Sequence, residues 1–369
     1  MKVAADIRAP WRIPLLLLAI ASLFLGVATG LARLGWSLPG ADLAPIHGPL
    51  MVSGFFGTVI SLERAVALRW RWAYAAPLFS GVATLTSIVA ATVVMSAALA
   101  VAGSVVMLAA SAVVYGRQRE LFTLTLMLGA ASWMIGNLLW LGGQPVYAVV
   151  PWWIAFLVLT IAGERLELSR LLPRSAVANG VFSALVVTLL GGVAVSLLAR
   201  SAGTIALGAA LIGIALWLMR QDVARRTVKV RGLPRFVAIC LLSGYAWLAV
   251  SGTSMLLTGG LGQGGFAYDA ALHAVLLGFV FSMVFGHAPI IFPAVLRVGI
   301  RYSPYFYAPL ALLHASLCVR LLGDWMGSSD WRAWGGALNG VALLTFVLVT
   351  VGAVIRGAIG PGAKALHEG

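Results

Sequence analysis

The sequence predicts an all-α membrane protein that crosses the bilayer with twelve helices. Of its 369 residues, 61% are hydrophobic and 10% are charged, whereas a soluble domain carries about a quarter charged residues. The apolar residues form twelve runs, each close to the roughly 20 residues that span a bilayer core. The runs cover 12–32, 44–68, 72–92, 94–115, 121–142, 147–164, 176–198, 202–219, 234–258, 268–297, 304–322 and 333–355. We therefore interpret residues 1–369 as one integral membrane domain.

We expect the first run to be an uncleaved transmembrane helix because of its length. Basic residues precede it, as they precede a secretory signal, but its apolar stretch at 13–31 is longer than the apolar core of a signal peptide. Short sequence echoes then group the runs. The dipeptide Glu-Arg ends the second run at 63–64 and the sixth at 164–165, and a histidine opens both the second and the tenth. The second, sixth and tenth runs would then be the second members of three groups of four helices. Anchoring at the membrane surface is an alternative explanation of the Glu-Arg pairs. The polar stretch 220–235 is the candidate seam in the domain.

Basic residues are distributed unevenly between the two sides of the predicted membrane. With a cytoplasmic N-terminus, 21 of the 25 Lys and Arg residues fall in inside segments, and Arg33, Arg200, Arg320 and Arg332 fall outside. Such a bias is typical of membrane proteins whose cytoplasmic loops retain positive charge. The net charge of +14 therefore reflects topology and not nucleic-acid binding. We expect a multi-pass protein of a bacterial inner membrane, surrounded by lipid, with both termini in the cytoplasm.

Four of the five histidines fall inside predicted spans, where ionisable side chains are costly and mark functional candidates. They are His47, His273, His287 and His314, whereas His367 lies in the tail. His47 and His273 both lie near the outer ends of parallel spans. At 1.5 Å and 100° per residue, His287 lies about 21 Å below His273 on nearly the same side of its helix. His287 and His314 both lie about 14–15 Å from the inner face.

Two imidazoles at one depth suit haem iron, copper or zinc. Haem fits best, because small residues flank His47 and His273 and let a flat ring approach, although helix packing explains the same residues. Asp269 either orients the His273 ring by accepting a hydrogen bond from it or caps the start of the helix. His287 and His314 could hold a second haem or a copper, and the sulfur of Met283 could then be a copper ligand. Alternatively, the two rings form hydrogen bonds with main-chain carbonyls that Pro289 and Pro293 leave without a partner.

Two segments carry a resemblance to a known family. "HGPLMVSGFFGT" from His47 and "HAVLLGFVFSMVFGHAP" from His273 resemble the NnrS family of twelve-helix membrane proteins, which contain haem and copper and are linked to nitric oxide metabolism and nitrosative stress. The layout is also similar to subunit I of haem-copper oxidases. The resemblance implies one or two b-type haems, copper, and a diatomic gas such as nitric oxide as ligand. A quinol or a cytochrome would donate electrons.

The sequence departs from the oxidase pattern in two of the helices that bind copper there. The sixth and seventh runs contain no histidine, so we do not expect the three-histidine copper centre or oxygen reduction. Three functions remain open: a haem protein for electron transfer or nitric oxide handling, a transporter that uses its histidines for protons or solute, and a structural subunit. We found no charged residue in the middle of a predicted span, which counts against ion-coupled transport. Whether the protein is an enzyme stays open.

Overall fold

The computed structural model describes residues 6–38, 41–89, 93–170 and 174–359. Within these ranges the chain is helical and contains no β-strand. Eleven of the described helices are long and apolar enough to cross a membrane. We label all the long helices in chain order. They are α1 (Ala9–Arg33), α2 (Asp42–Leu68), α3 (Ala75–Val89), α4 (Val93–Arg117), α5 (Leu121–Leu141), α6 (Val146–Leu168), α7 (Ala176–Val195), α8 (Arg200–Gln221), α9 (Leu233–Leu257), α10 (Phe266–Leu296), α11 (Pro304–Met326) and α12 (Ser329–Gly357).

The helical membrane architecture predicted from composition is confirmed. Helix α3 is the one predicted span that does not meet the length of a membrane crossing, because its described part has 15 residues. The predicted run ended at residue 92, and 90–92 lie outside the described residues. The coarse prediction, a helical bundle with eleven candidate spans among the described residues, therefore holds.

Helices α2 and α10 share a departure from α-helical geometry. In each, a short α-helical segment that contains the histidine is followed by a π-helix, over Leu50–Phe56 in α2 and Ala274–Phe281 in α10. Every residue of the α2 segment is buried. π-Helical turns are rare and are frequent at functional sites. Both helices end in the same way, with an arginine in the left-handed conformation, Arg69 or Arg297.

The two π-helical segments pack against each other through aromatic rings. Phe281 of α10 stacks on Phe55 of α2 with ring centres 5.7 Å apart and planes 6° apart. It also contacts Phe56 at 5.2 Å. The contact holds α2 beside α10 one or two turns beyond their histidines. His47 and His273 consequently start from neighbouring positions in the bundle.

Helix α6 is the most buried of the candidate spans. Buried hydrogen bonds connect it to α2 through α5. Asn137 of α5 accepts from Ser53 of α2 at 2.8 Å and from Trp153 of α6 at 3.1 Å. Trp133 of α5 also donates to Ser53, at 3.2 Å. These satisfied bonds hold α2 in position and leave its other side to face α1 and α10.

Candidate functional site

A cavity of about 370 Å³ lies at the end of the bundle where α2 and α10 begin. Both His47 and His273 line it, and so do the aromatic rings of Phe56 and Phe281. Its volume is within the range of about 300–1,000 Å³ that is usual for cofactor and ligand sites. The predicted upper pair of histidines is therefore brought to one cavity.

The His47 ring is fixed by helix α1. Its Nδ1 donates to the main-chain carbonyl of Gly26, with a distance of 2.7 Å. Because Nδ1 carries the proton in this bond, Nε2 is the acceptor of the neutral ring. Gly30, one turn further along α1, makes room for the ring: a Cβ there would lie 2.7 Å from Cε1 of His47. The sequence analysis did not identify either glycine.

The His273 ring is fixed within its own helix and has the same tautomer. Its Nδ1 lies 2.9 Å from the main-chain carbonyl of Asp269, which accepts the proton, and 3.3 Å from Oδ1 of the same residue. Nε2 is thus the free lone-pair donor of the ring. Metal-binding histidines usually donate their other N–H to a carbonyl or carboxylate. His47 and His273 both have this arrangement.

Asp269 orients His273 and does not cap the helix. The residue at the N-cap of this part of α10 is Gly265, and no side chain caps it. The Asp269 carboxylate is instead bound by Arg320 of α11, with Nε to Oδ2 at 2.7 Å and Nη2 to Oδ1 at 2.8 Å. The orienting role foreseen for Asp269 therefore has geometric support, but its partner Arg320 had been assigned to an outside segment.

One side of the cavity is basic. Arg33, Arg320 and Arg332 all line it. Arg320 is paired with Asp269, whereas Arg33 donates to the main-chain carbonyl of Ala44 at 3.4 Å. Arg332 lies over the ring of Phe266 at 4.6 Å. Counting charges for topology had assigned all three arginines to the outer side of the membrane, so their position beside the histidines was missed.

Among the described residues, the His287 side chain contacts α6 and forms no hydrogen bond with His314. Its Nε2 lies 3.3 Å from Nη1 of Arg165 on α6. Arg165 in turn binds both carboxylate oxygens of Asp222, at 2.7 and 3.2 Å, and Tyr245 donates to Asp222 at 2.6 Å. A guanidinium that points at Nε2 repels a metal cation from that atom. The geometry thus gives no support to His287 as a ligand.

His314 is occupied by hydrogen bonds on both ring nitrogens. Trp247 of α9 donates to Nδ1 at 3.0 Å, so Nε2 carries the proton and donates to Ser243 at 3.0 Å. A metal ion would have to replace one of these bonds. Met283, the proposed sulfur ligand, is buried, and its Cε packs beside Gly244. No group of three or more His, Cys, Asp or Glu residues suited to a metal ion exists in the described ranges.

Two charged residues that the sequence analysis placed outside the spans are buried. Arg165 and Asp222 have exposures of 4% and 5%. Arg165 had been counted in a cytoplasmic loop, and Asp222 lies in the stretch 220–235 that was proposed as a seam. Arg165 lies three residues before the end of α6 and Asp222 directly follows α8, so neither places a charge in the middle of a span.

One family model covers almost the whole chain. The domain of unknown function DUF8744 matches residues 12–355. The protein belongs to this family. The match includes α2 and α10 with both cavity histidines, as well as Arg320. A comparison with functionally curated proteins finds no match.

Proposed function

We propose that this DUF8744 protein binds haem, with His47 and His273 as its two axial ligands. The observation that carries the proposal is the shared cavity, in which each histidine has Nδ1 tied to a carbonyl and Nε2 available. Neutral imidazoles of this tautomer are common ligands of haem iron. The chemistry a bound haem would supply is transfer of single electrons.

The lining of the cavity fits a haem of b type. A haem has a flat apolar ring and two carboxylates at one edge. The rings of Phe56 and Phe281 offer apolar contact deeper in the bundle, and Arg33 and Arg332 offer cationic partners for carboxylates. Guanidinium groups bind carboxylates well because their N–H groups form a planar fork. No covalent attachment is needed to hold such a ligand.

Two histidine ligands favour electron transfer over catalysis at the iron. Both axial positions would be filled by His47 and His273, so a diatomic gas would have to displace one of them. Nitric oxide handling, which the resemblance to the NnrS family suggested, would require such a displacement. A quinol or cytochrome would serve as electron donor. The contacts of His287 and His314 support neither a second haem nor copper, so we propose one haem.

We further propose twelve membrane crossings in a bacterial inner membrane, with both termini in the cytoplasm. Helix α3 would be the twelfth crossing. An even count agrees with the bias of Lys and Arg toward one set of loops. The grouping into three sets of four helices and the seam at 220–235 remain part of this proposal.

Transport is the second candidate, because a specific cluster favours it. His287, Arg165 and Asp222 form a buried set of ionisable groups that joins α6 to α10. Buried ionisable groups of this kind occur in proton and substrate pathways of transporters. The cavity lined by His47 and His273 does not include this cluster in its lining, which places transport second.

The visible spectrum of the purified protein tests the proposal. We expect a Soret band and the bands of a low-spin haem at about one haem per chain. The variants His47→Ala and His273→Ala should each lose the low-spin spectrum. His314→Gln is the matched control, since His314 lies in another span and bonds only protein groups; it should keep the spectrum. Full haem content with an unchanged Soret band in both alanine variants would disprove the ligand assignment.

A further inference from the structure

The two cavity histidines differ in the charge of the groups that face their Nδ1 atoms. Nδ1 of His47 faces the neutral carbonyl of Gly26, whereas Nδ1 of His273 has a carboxylate oxygen of Asp269 3.3 Å away. That same oxygen accepts a hydrogen bond of 2.8 Å from Arg320. One carboxylate oxygen therefore lies between an imidazole and a guanidinium.

The charges of this pair are poorly shielded by water. The side chains of Arg320 and Asp269 are 8% and 17% exposed. At such burial, charges interact more strongly than in bulk water, and an unbalanced charge changes the energy of any nearby ion. A carboxylate behind a metal-bound imidazole makes the ring more basic and favours the more positive state of the metal. A guanidinium bound to that carboxylate opposes this effect.

We infer that Arg320 is a positioning residue that holds the Asp269 carboxylate beside His273 and cancels its charge. His273 then acts as a ligand backed by a neutral pair, electrically similar to His47. This inference rests on the proposed function, because the charge balance would be felt at the iron. Asp324 and Arg332 also lie near Asp269 or the cavity, and they remain unchanged in the variants that test the pair.

The test is a redox titration of the full-length protein with its bound haem. Asp269→Asn leaves the charge of Arg320 unbalanced, so the reduced, less positive iron is favoured and the midpoint potential rises. Arg320→Gln leaves the carboxylate unbalanced, so the midpoint potential falls. The double variant is neutral again, and its potential should lie between those of the single variants. A role in folding alone would not shift the potential in opposite directions.

Thermal unfolding supplies a readout that does not need haem. Each single variant buries an unpaired charge and should unfold at a lower temperature, whereas the double variant should recover part of the loss. Arg64→Gln is the control: it removes an arginine that lies outside the cavity and forms a partly exposed pair with Glu164, so the unfolding temperature should change little.

Two results would overturn the inference. The first is a shift of the potential in the same direction, or no shift, in both single variants with haem bound. The second is a double variant that unfolds below both single variants, which would show that the residues do not balance each other. A wild-type protein without haem would instead disprove the proposed function, and the unfolding cycle would still decide whether the pair exists.

Discussion

A single methyl group on helix α1 should weaken haem binding without touching the haem. A Cβ at Gly30 would lie 2.7 Å from Cε1 and 2.9 Å from Nδ1 of His47. Carbon atoms in favourable contact are about 3.5–4.0 Å apart, so Gly30→Ala requires the ring to move by about 0.8 Å or more. All three atoms that the Cβ would meet belong to the His47 ring, so the ring is the part that must move.

The displacement is large compared with the tolerance of a binding site. The Nδ1 bond from His47 to Gly26 is 2.7 Å long, and an added shift of about 0.8 Å brings it to the limit of a hydrogen bond. Sites generally hold their ligands within about 0.5 Å of the productive geometry. Losing such an orienting bond typically costs about 10- to 100-fold in metal affinity. We expect haem affinity to fall by that factor.

The assay is haem titration of the apoprotein in detergent, followed by the Soret band. Gly191→Ala is the matched control, since Gly191 lies on α7 with no atom within 4 Å of an added Cβ. In the His47→Ala background, Gly30→Ala should not lower the haem affinity any further, because the ring that the added methyl group would displace is absent. Unchanged haem affinity in Gly30→Ala alone would refute the reasoning, because it would show that the placement of the His47 ring does not matter.

Two further predictions concern the charged cluster and the topology. Asp222→Asn leaves Arg165 buried without its partner, and breaking a buried pair costs about 3–5 kcal/mol of unfolding free energy, measured by thermal unfolding. Arg64→Gln removes the partly exposed pair of Arg64 with Glu164 and should lower the unfolding free energy by less than about 1 kcal/mol. Equal losses of unfolding free energy in the two variants would contradict the assignment of Arg165 and Asp222 as a buried pair. Reporter fusions after Arg235 and after Gly265 should report opposite sides of the membrane. Signals from the same side would exclude a crossing by α9.

The sequence was sufficient to predict the helical bundle and the upper histidine pair. Long apolar runs define membrane helices because each crossing must satisfy its own backbone hydrogen bonds. His47 and His273 open parallel spans, so depth alone placed them together. The twelfth crossing and the grouping of the helices into three sets of four stay predictions.

Side-chain partners were the part that the sequence could not supply. Arg165 and Arg320 were counted as loop charges because they lie near the ends of apolar runs. Long side chains near helix ends often reach the membrane surface, so that assignment was reasonable. In the structure both find carboxylates on other helices, Asp222 and Asp269. Only the packing of distant segments shows which charges are buried.

The alignment of His273 and His287 calculated from the sequence does not take the geometry of helix α10 into account. The prediction that His273 and His287 point the same way assumed 100° per residue throughout. Eight of the residues between them, Ala274–Phe281, are π-helical. A π-helix closes its hydrogen bonds over five residues and not four, so each residue advances by less than 100° around the axis. The alignment calculated for a regular α-helix therefore does not apply across this segment. The same segment that packs Phe281 against α2 beneath the cavity therefore separates the directions of the two histidines, which agrees with the contact between His287 and Arg165.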